Sequence, residues 1–275
     1  MGLLPLAVAQ FAPVFRDPPA NAAKLLDLFR RAVGGGAKLV VFPECALTGY
    51  CFSSAEEAAE AALPQDAPEL QALERACSEL DAYAVVGFAE KADGTLYNSA
   101  AFLGPDGRVG VYRKTHLPLL GFDRFVTRGA ELPVYETPIG RFGILICYDL
   151  RVPEAALSLA KRGAEAILVP TNWPTGAESS PDLLAPARAW DTRTFIAAAN
   201  RVGSEGGFDF IGKSGIWDVD ARPLAYAGHT DEAILHAEVD LSLAREKRIV
   251  VRKGEFELDP LNDRRPELYE LGPGA

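Results

Sequence analysis

Three short apolar runs in this chain end at polar or reactive residues. Lys38 to Phe42 leads into Pro43-Glu44, Gly140 to Cys147 into Tyr148-Asp149, and Ala166 to Val169 into Pro170-Thr171. Runs this short, rich in Val, Ile and Leu and bounded by turn residues, read as buried strands. A helical pattern over Pro153 to Arg162 joins the second run to the third. Together they form a β-α-β unit, which favours parallel strands and a right-handed crossover, and hence an α/β fold. In open α/β sheets ligands bind beyond the carboxyl ends of the strands, so the three junctions are where a site is expected.

Further strands are expected over Leu4 to Phe11, Tyr83 to Ala89, Leu96 to Leu103, Arg108 to Arg113, Thr194 to Val202, Ile211 to Val219 and Ile234 to Val239. Pro18 with Asn21 opens a helical pattern running through Val33, with Leu25, Leu26, Phe29, Ala32 and Val33 on one face. Gly34-Gly35-Gly36 follows that helix and no Lys-Ser/Thr comes after it, so the glycines read as a helix terminator and not as a phosphate loop. Asp66 and Glu69 read as a capping pair before the stripe Leu70, Leu73, Cys77, Leu80, and another helix is expected over Pro181 to Arg193. One domain is expected over residues 1–260. Residues 261–275, rich in Pro, Arg and Glu, read as a tail: either a frayed end or an arm against another subunit.

The 28 Lys and Arg against 38 Asp and Glu leave a formal charge of −10, which argues against nucleic acid as a partner. No stretch approaches the roughly 18 apolar residues of a membrane span, and the apolar N-terminus lacks the basic start of a signal peptide. A cytoplasmic protein is therefore expected. The four cysteines contain no CxxC pair, and His116, His229 and His236 lie far apart, so neither a metal nor another cofactor is expected. The chemistry then falls to ordinary side chains.

Taken singly, the junction residues are ambiguous. Cys147 is either a small buried apolar residue or a nucleophile that needs a base or a cation beside it. Glu44 is either a turn charge or a desolvated carboxylate suited to proton transfer. Lys114, in VYRKTHLPLLG, would alone be an ordinary exposed lysine.

Together, and in this order, they change the reading. FPE at Phe42 to Glu44, YRKTHL at Tyr112 to Leu117 and CYDLRVPE at Cys147 to Glu154 resemble the motifs of the nitrilase, or carbon-nitrogen hydrolase, superfamily. The resemblance continues through GAEAILVPTNWP, ARAWDTRTFIAAANRVG and FIGKSGIWD and spans roughly residues 4–240. It implies a four-layer α-β-β-α sandwich that usually forms homodimers, with Glu44 as base, Lys114 as oxyanion donor and Cys147 as nucleophile. The backbone N–H of Tyr148 is implied as a second donor.

Many members carry a second glutamate shortly after the lysine. Here the nearest acid is Asp123, which would either take that role or be a surface charge, with Glu131 the second choice. Tyr50, His116, Asn172 and Trp173 are further candidates for the pocket. His116 also reads as a backbone hydrogen-bonding residue, and Trp173 equally as core or dimer interface. The activity implied is ammonia-releasing hydrolysis of a small amide, with carbamoyl and nitrile substrates as alternatives. Acyl transfer and a non-catalytic binding protein stand outside that class, and the absence of GxSxG disfavours a serine hydrolase.

Overall fold

The computed structural model describes residues 2–228 and 230–269. His229 and residues 270–275, the end of the expected tail, lie outside the described residues. The first half of the chain runs β1 (Leu4–Gln10), α1 (Pro18–Gly34), β2 (Leu39–Val41), α2 (Ala55–Ala61), α3 (Pro68–Leu80), β3 (Tyr83–Ala92), β4 (Thr95–Gly104) and β5 (Gly107–Arg113). The second runs β6 (Val134–Thr137), β7 (Gly140–Ile144), α4 (Pro153–Lys161), β8 (Ala166–Thr171), α5 (Ala185–Thr192) and β9 (Phe195–Asn200). A short hairpin, β10 (Ser204–Glu205) and β11 (Phe208–Asp209), precedes β12 (Gly215–Trp217) and β13 (Pro223–Tyr226). β14 (Ala233–Val239), α6 (Ser242–Arg245), β15 (Ile249–Arg252) and β16 (Phe256–Leu258) complete the described elements.

Two large sheets result, one ordered β14-β1-β2-β3-β4-β5 and the other β13-β12-β9-β8-β7-β6. Each has parallel strands at its centre, β1-β2-β3 in one and β7-β8-β9 in the other, flanked by antiparallel neighbours. The period of two explains the layering. Leu4, Leu6, Val8, Leu39, Val41, Val85 and Phe102 turn toward the second sheet, where the Phe102 ring meets Phe142 edge-on at 5.8 Å. Their neighbours Ala7, Ala9, Val40, Ala84, Val86 and Ala101 turn the other way, onto Leu25, Phe29, Leu70, Leu73 and Cys77 of α1 and α3. α4 and α5 cover the second sheet through Ala155, Ala156, Leu159, Ala185 and Ala189. The fold is the α-β-β-α sandwich that the resemblance implied.

Several local expectations are corrected. α3 is capped at Ala67 with no side-chain bond, so Asp66 and Glu69 form no capping pair; Pro68, with its φ preset for the first helical position, marks the start. α1, by contrast, opens at Pro18 as expected, and the Asp17 carboxylate caps it by accepting the Ala20 N–H at 3.0 Å. Asn21, in its first turn, binds Val14 before the helix and Leu47 in the loop after β2. Of the strand expected over Ile211 to Val219 only Gly215–Trp217 forms, because Gly212 (φ 63°) and Lys213 (φ 58°) are left-handed and break the extended run. The apolar run at Gly140 leaves the sheet after Ile144, and Cys147 opens a 3-10 turn, Cys147–Arg151. Leu261 is buried, and Pro260 and Arg264 line a cavity with Pro153, Leu157 and Trp190 beside α4 and α5.

Among the described residues, no helix is long and apolar enough to cross a membrane.

Candidate active site

Glu44 comes shortly after β2, Cys147 after β7 and Asn172 directly after β8, so the ends of parallel strands from both sheets converge on one place. Lys114 enters directly after β5, its backbone fixed by its N–H to Asn98 O at 2.8 Å and by Gly129 N–H to its own carbonyl at 2.8 Å. Cys45, immediately behind Glu44, and Cys147 both sit at left-handed φ, 48° and 47°. Such strain costs on the order of 1–3 kcal/mol and persists where the surroundings over-determine it.

The side chains of Glu44, Lys114 and Asp123 are fully buried. Lys114 Nζ donates to Glu44 Oε1 at 2.7 Å and to Asp123 Oδ2 at 2.6 Å. An ammonium has three hydrogens, so one remains for a further acceptor. Asn98, on β4, donates from Nδ2 to both carboxylates, 2.7 Å to Glu44 Oε1 and 2.8 Å to Asp123 Oδ1. Glu44 Oε2 is buried with no hydrogen-bond partner among the described residues. A carboxylate with one oxygen held and the other open is arranged to accept a proton.

Burial raises the Glu44 carboxyl above its ordinary value; Lys114 opposes that and the negative charge of Asp123 adds to it. Burial works against the charge on Lys114, but the charges of Asp123 and Glu44 outweigh it and hold the ammonium well above the usual lysine value. The Cys147 thiol is pushed up to about 12, first by burial and then by the charge of Glu44. Lys114, the Thr171 hydroxyl and the Asn172 backbone N–H pull it the other way. A sulfur so placed is a thiol at neutral pH, and as a nucleophile it would need a base to take its proton.

Asp149 sets the distance between the two cationic and sulfur-bearing segments. Its buried Oδ2 accepts Tyr112 Oη at 2.7 Å and Ile146 N–H at 2.9 Å, while Oδ1 accepts His116 N–H at 2.8 Å and Thr115 Oγ1 at 3.1 Å. One carboxylate thus ties the residues flanking Lys114 to the residue before Cys147. In the same turn Asp149 N–H bonds Ile146 O, and the Tyr148 N–H lies at its opening, where a 3-10 turn leaves N–H groups unused.

The candidates divide clearly. Glu44, Lys114, Asp123 and Cys147 come together, and Tyr148 and Trp173 line a cavity of about 290 Å³ with Cys147, Pro118, Leu120 and Arg151. Asn172 is buried, and neither atom of its amide has a partner among the described residues. The Tyr50 hydroxyl is turned onto Asp123 Oδ2 at 2.8 Å, and His116 Nδ1 lies 2.8 Å from Asp149 Oδ1. Both lie outside the residues lining that cavity. Glu131 lines a different cavity, with Gln65 and Arg113. Sequence reasoning missed Asn98; its signal was an amide inside the apolar run Leu96 to Leu103.

The carbon-nitrogen hydrolase family model matches residues 5–249. A nitrilase of Pyrococcus abyssi is 37% identical over 272 residues, covering 97% of this chain and 99% of that protein. An (R)-stereoselective amidase of a Pseudomonas species is 34% identical over 273 residues, covering 94% and 91%. The crystal structure of an amidase from a Nesterenkonia species superposes with a TM-score of 0.80 at 24% identity, covering 97% of this chain and 95% of that one. The chain belongs to the carbon-nitrogen hydrolase family of the nitrilase superfamily.

Gly87 on β3 is where the Glu44 loop comes closest. A Cβ there would meet Pro43 O at 2.4 Å, Cys45 N at 2.6 Å and Glu44 Cα at 2.7 Å, all backbone atoms. Gly87→Ala should displace Glu44 and slow alkylation of Cys147 by iodoacetamide by about 10- to 100-fold. An unchanged rate in a folded variant would show that the loop tolerates the methyl group.

Proposed function

We propose that this protein is an amidase that hydrolyses a small carboxamide through a thioester on Cys147. The observation that carries the reading is the buried Glu44–Lys114–Asp123 cluster beside that thiol, with Glu44 Oε2 open. Glu44 takes the thiol proton as sulfur bonds to the carboxamide carbon, and the electron pair of the C=O moves onto oxygen. The remaining Lys114 hydrogen and the Tyr148 N–H stabilise that oxyanion. Collapse of the adduct breaks the C–N bond, and Glu44 returns its proton to nitrogen so that ammonia leaves. Water then gives a proton to Glu44 and attacks the thioester; the C–S bond breaks, and Glu44 reprotonates the sulfur.

Asp123 acts as the second carboxylate. It holds Lys114 charged and in place, and its negative charge makes Glu44 a stronger base. A panel of aliphatic amides, ω-amides of dicarboxylates, N-carbamoyl amines, N-carbamoyl amino acids and nitriles, assayed for ammonia, tests the assignment. Turnover should be greatest among the amides and vanish in Cys147→Ala. Absence of Cys147-dependent turnover across the panel would refute the enzyme, and turnover confined to carbamoyl or nitrile compounds would refute the amidase.

Two refinements follow. The acid limb of kcat/KM reports Glu44 losing its proton, and Asp123 raises that proton's affinity. Asp123→Asn should move the acid limb to lower pH while reducing kcat; a shift to higher pH would contradict the role given to Asp123.

Among the described residues, Arg151 is the one charged side chain lining the cavity of Cys147, and its contact with Ser179 Oγ is long, 3.4 Å. The cavity, about 290 Å³, lies just below the range of about 300–1,000 Å³ typical of ligand pockets. The fit is a short acyl chain with a carboxylate at its far end. Arg151→Gln should raise KM for such ω-amides about tenfold, the weight of one charged hydrogen bond, and leave neutral amides unchanged. Equal effects on both would remove Arg151 from substrate selection.

A further inference from the structure

Residues 45–52 leave the base and return past the site, so the path of this loop sets both Glu44 and Tyr50. What holds it comes from the other half of the molecule. Glu205, buried on β10, accepts the backbone N–H of Tyr50 and of Cys51 on Oε1, each at 2.7 Å. Its Oε2 accepts Arg201 Nη1 at 2.6 Å, and the Arg201 guanidinium, also buried, lies 4.3 Å from the centre of the Phe210 ring. The fit leaves little slack. A Cβ on Gly206 would meet Cys51 Cβ at 2.5 Å, and one on Gly49 would meet the Phe15 ring at 2.6 Å.

From Tyr50 the connection runs to the reactive centre. Its ring lies against the Gly121 backbone, where a Cβ would meet Tyr50 Cε1 at 2.3 Å, at the start of the turn that carries Asp123. Its hydroxyl reaches the Asp123 oxygen that also receives Lys114. Ion pairs buried this deeply add little net stability, because desolvation offsets the attraction and apolar replacements are often neutral. Stability alone therefore does not account for a carboxylate that spends one oxygen on two N–H groups of an active-site loop.

We propose that Glu205, locked by Arg201, is a positioning residue: by clamping the Tyr50 backbone it directs the Tyr50 hydroxyl that seats Asp123 on Lys114. The inference rests on the reading of Glu44, Lys114 and Cys147 as the reaction centre. Glu205 acts only through Tyr50, so removing its charge and removing the hydroxyl interrupt the same connection.

The test is a cycle of Glu205→Gln, Tyr50→Phe and the double variant. It is read as kcat and KM on the best amide, as the rate of iodoacetamide alkylation at the Cys147 peptide by mass spectrometry, and as Tm. Glu205→Gln should lower kcat and the alkylation rate by about 10- to 100-fold with KM little changed. The double variant should be no slower than the slower single variant. Multiplying effects in the double variant, or a lower Tm with unchanged rates, would make Glu205 merely structural and overturn the proposal. Should Glu205→Gln fail to fold, Glu205→Asp keeps the charge for Arg201 but draws the carboxylate back from Tyr50, and the same rate loss is expected. The alkylation arm needs no substrate, so it reads the positioning role even if the panel of amides yields no turnover.

Discussion

A lysine ammonium with no exposure to water is the interaction on which the rest of this structure depends. Removing Lys114 from water is expensive, and two carboxylates at 2.6 and 2.7 Å are what keep it charged. The pair of carboxylates brings its own problem, since the charge of Asp123 raises the proton affinity of Glu44. Asn98 answers it with one amide group that donates to both. The outcome is a fixed cation with one hydrogen unspent, next to a carboxyl whose second oxygen is open. The hydrogen bonds within the cluster hold these charges in fixed positions.

Holding such a cluster calls for a rigid frame, and the two-sheet sandwich supplies it. β2 and β7 lie at the parallel centres of separate sheets, and Glu44 and Cys147 each follow one of them by a few residues. The inter-sheet packing of Phe102 on Phe142 and its aliphatic neighbours sets the spacing between them. Asp149 then fixes the local register with donors from Tyr112, Thr115, His116 and Ile146. Cys147, Lys114 and Glu44 therefore come from different elements, and each is anchored through its neighbours in the chain instead of through its own side chain alone.

Much of the frame was legible because buried strands and amphipathic helices leave strong periodic signals. KLVVF, AILV and the stripe over Leu25, Phe29 and Ala32 were read correctly for that reason. Errors fell where a backbone angle, not hydrophobicity, decides. The run at Ile211 looked like one strand, but left-handed Gly212 and Lys213 divide it from Gly215–Trp217. Likewise Asp66 had the chemistry of a cap, yet Pro68 starts the helix one residue too late for it.

The sequence by itself determined most of the central strands and the helices that cover them, the residues placed at strand ends, and the family whose motifs they match; α2, β6, β13 and the short hairpins were not read from it. Only the tertiary structure decided which acid joins Lys114, since Asp123 and Glu131 are both within reach along the chain and one is buried on the ammonium while the other faces a separate cavity. It alone revealed Asn98 between the carboxylates and Glu205 behind Tyr50, contacts that span 54 and 155 residues of chain. The physical reason is the same throughout. Periodicity reports whether a side chain faces the core, whereas a hydrogen bond depends on distance and angle between groups that the fold brings together.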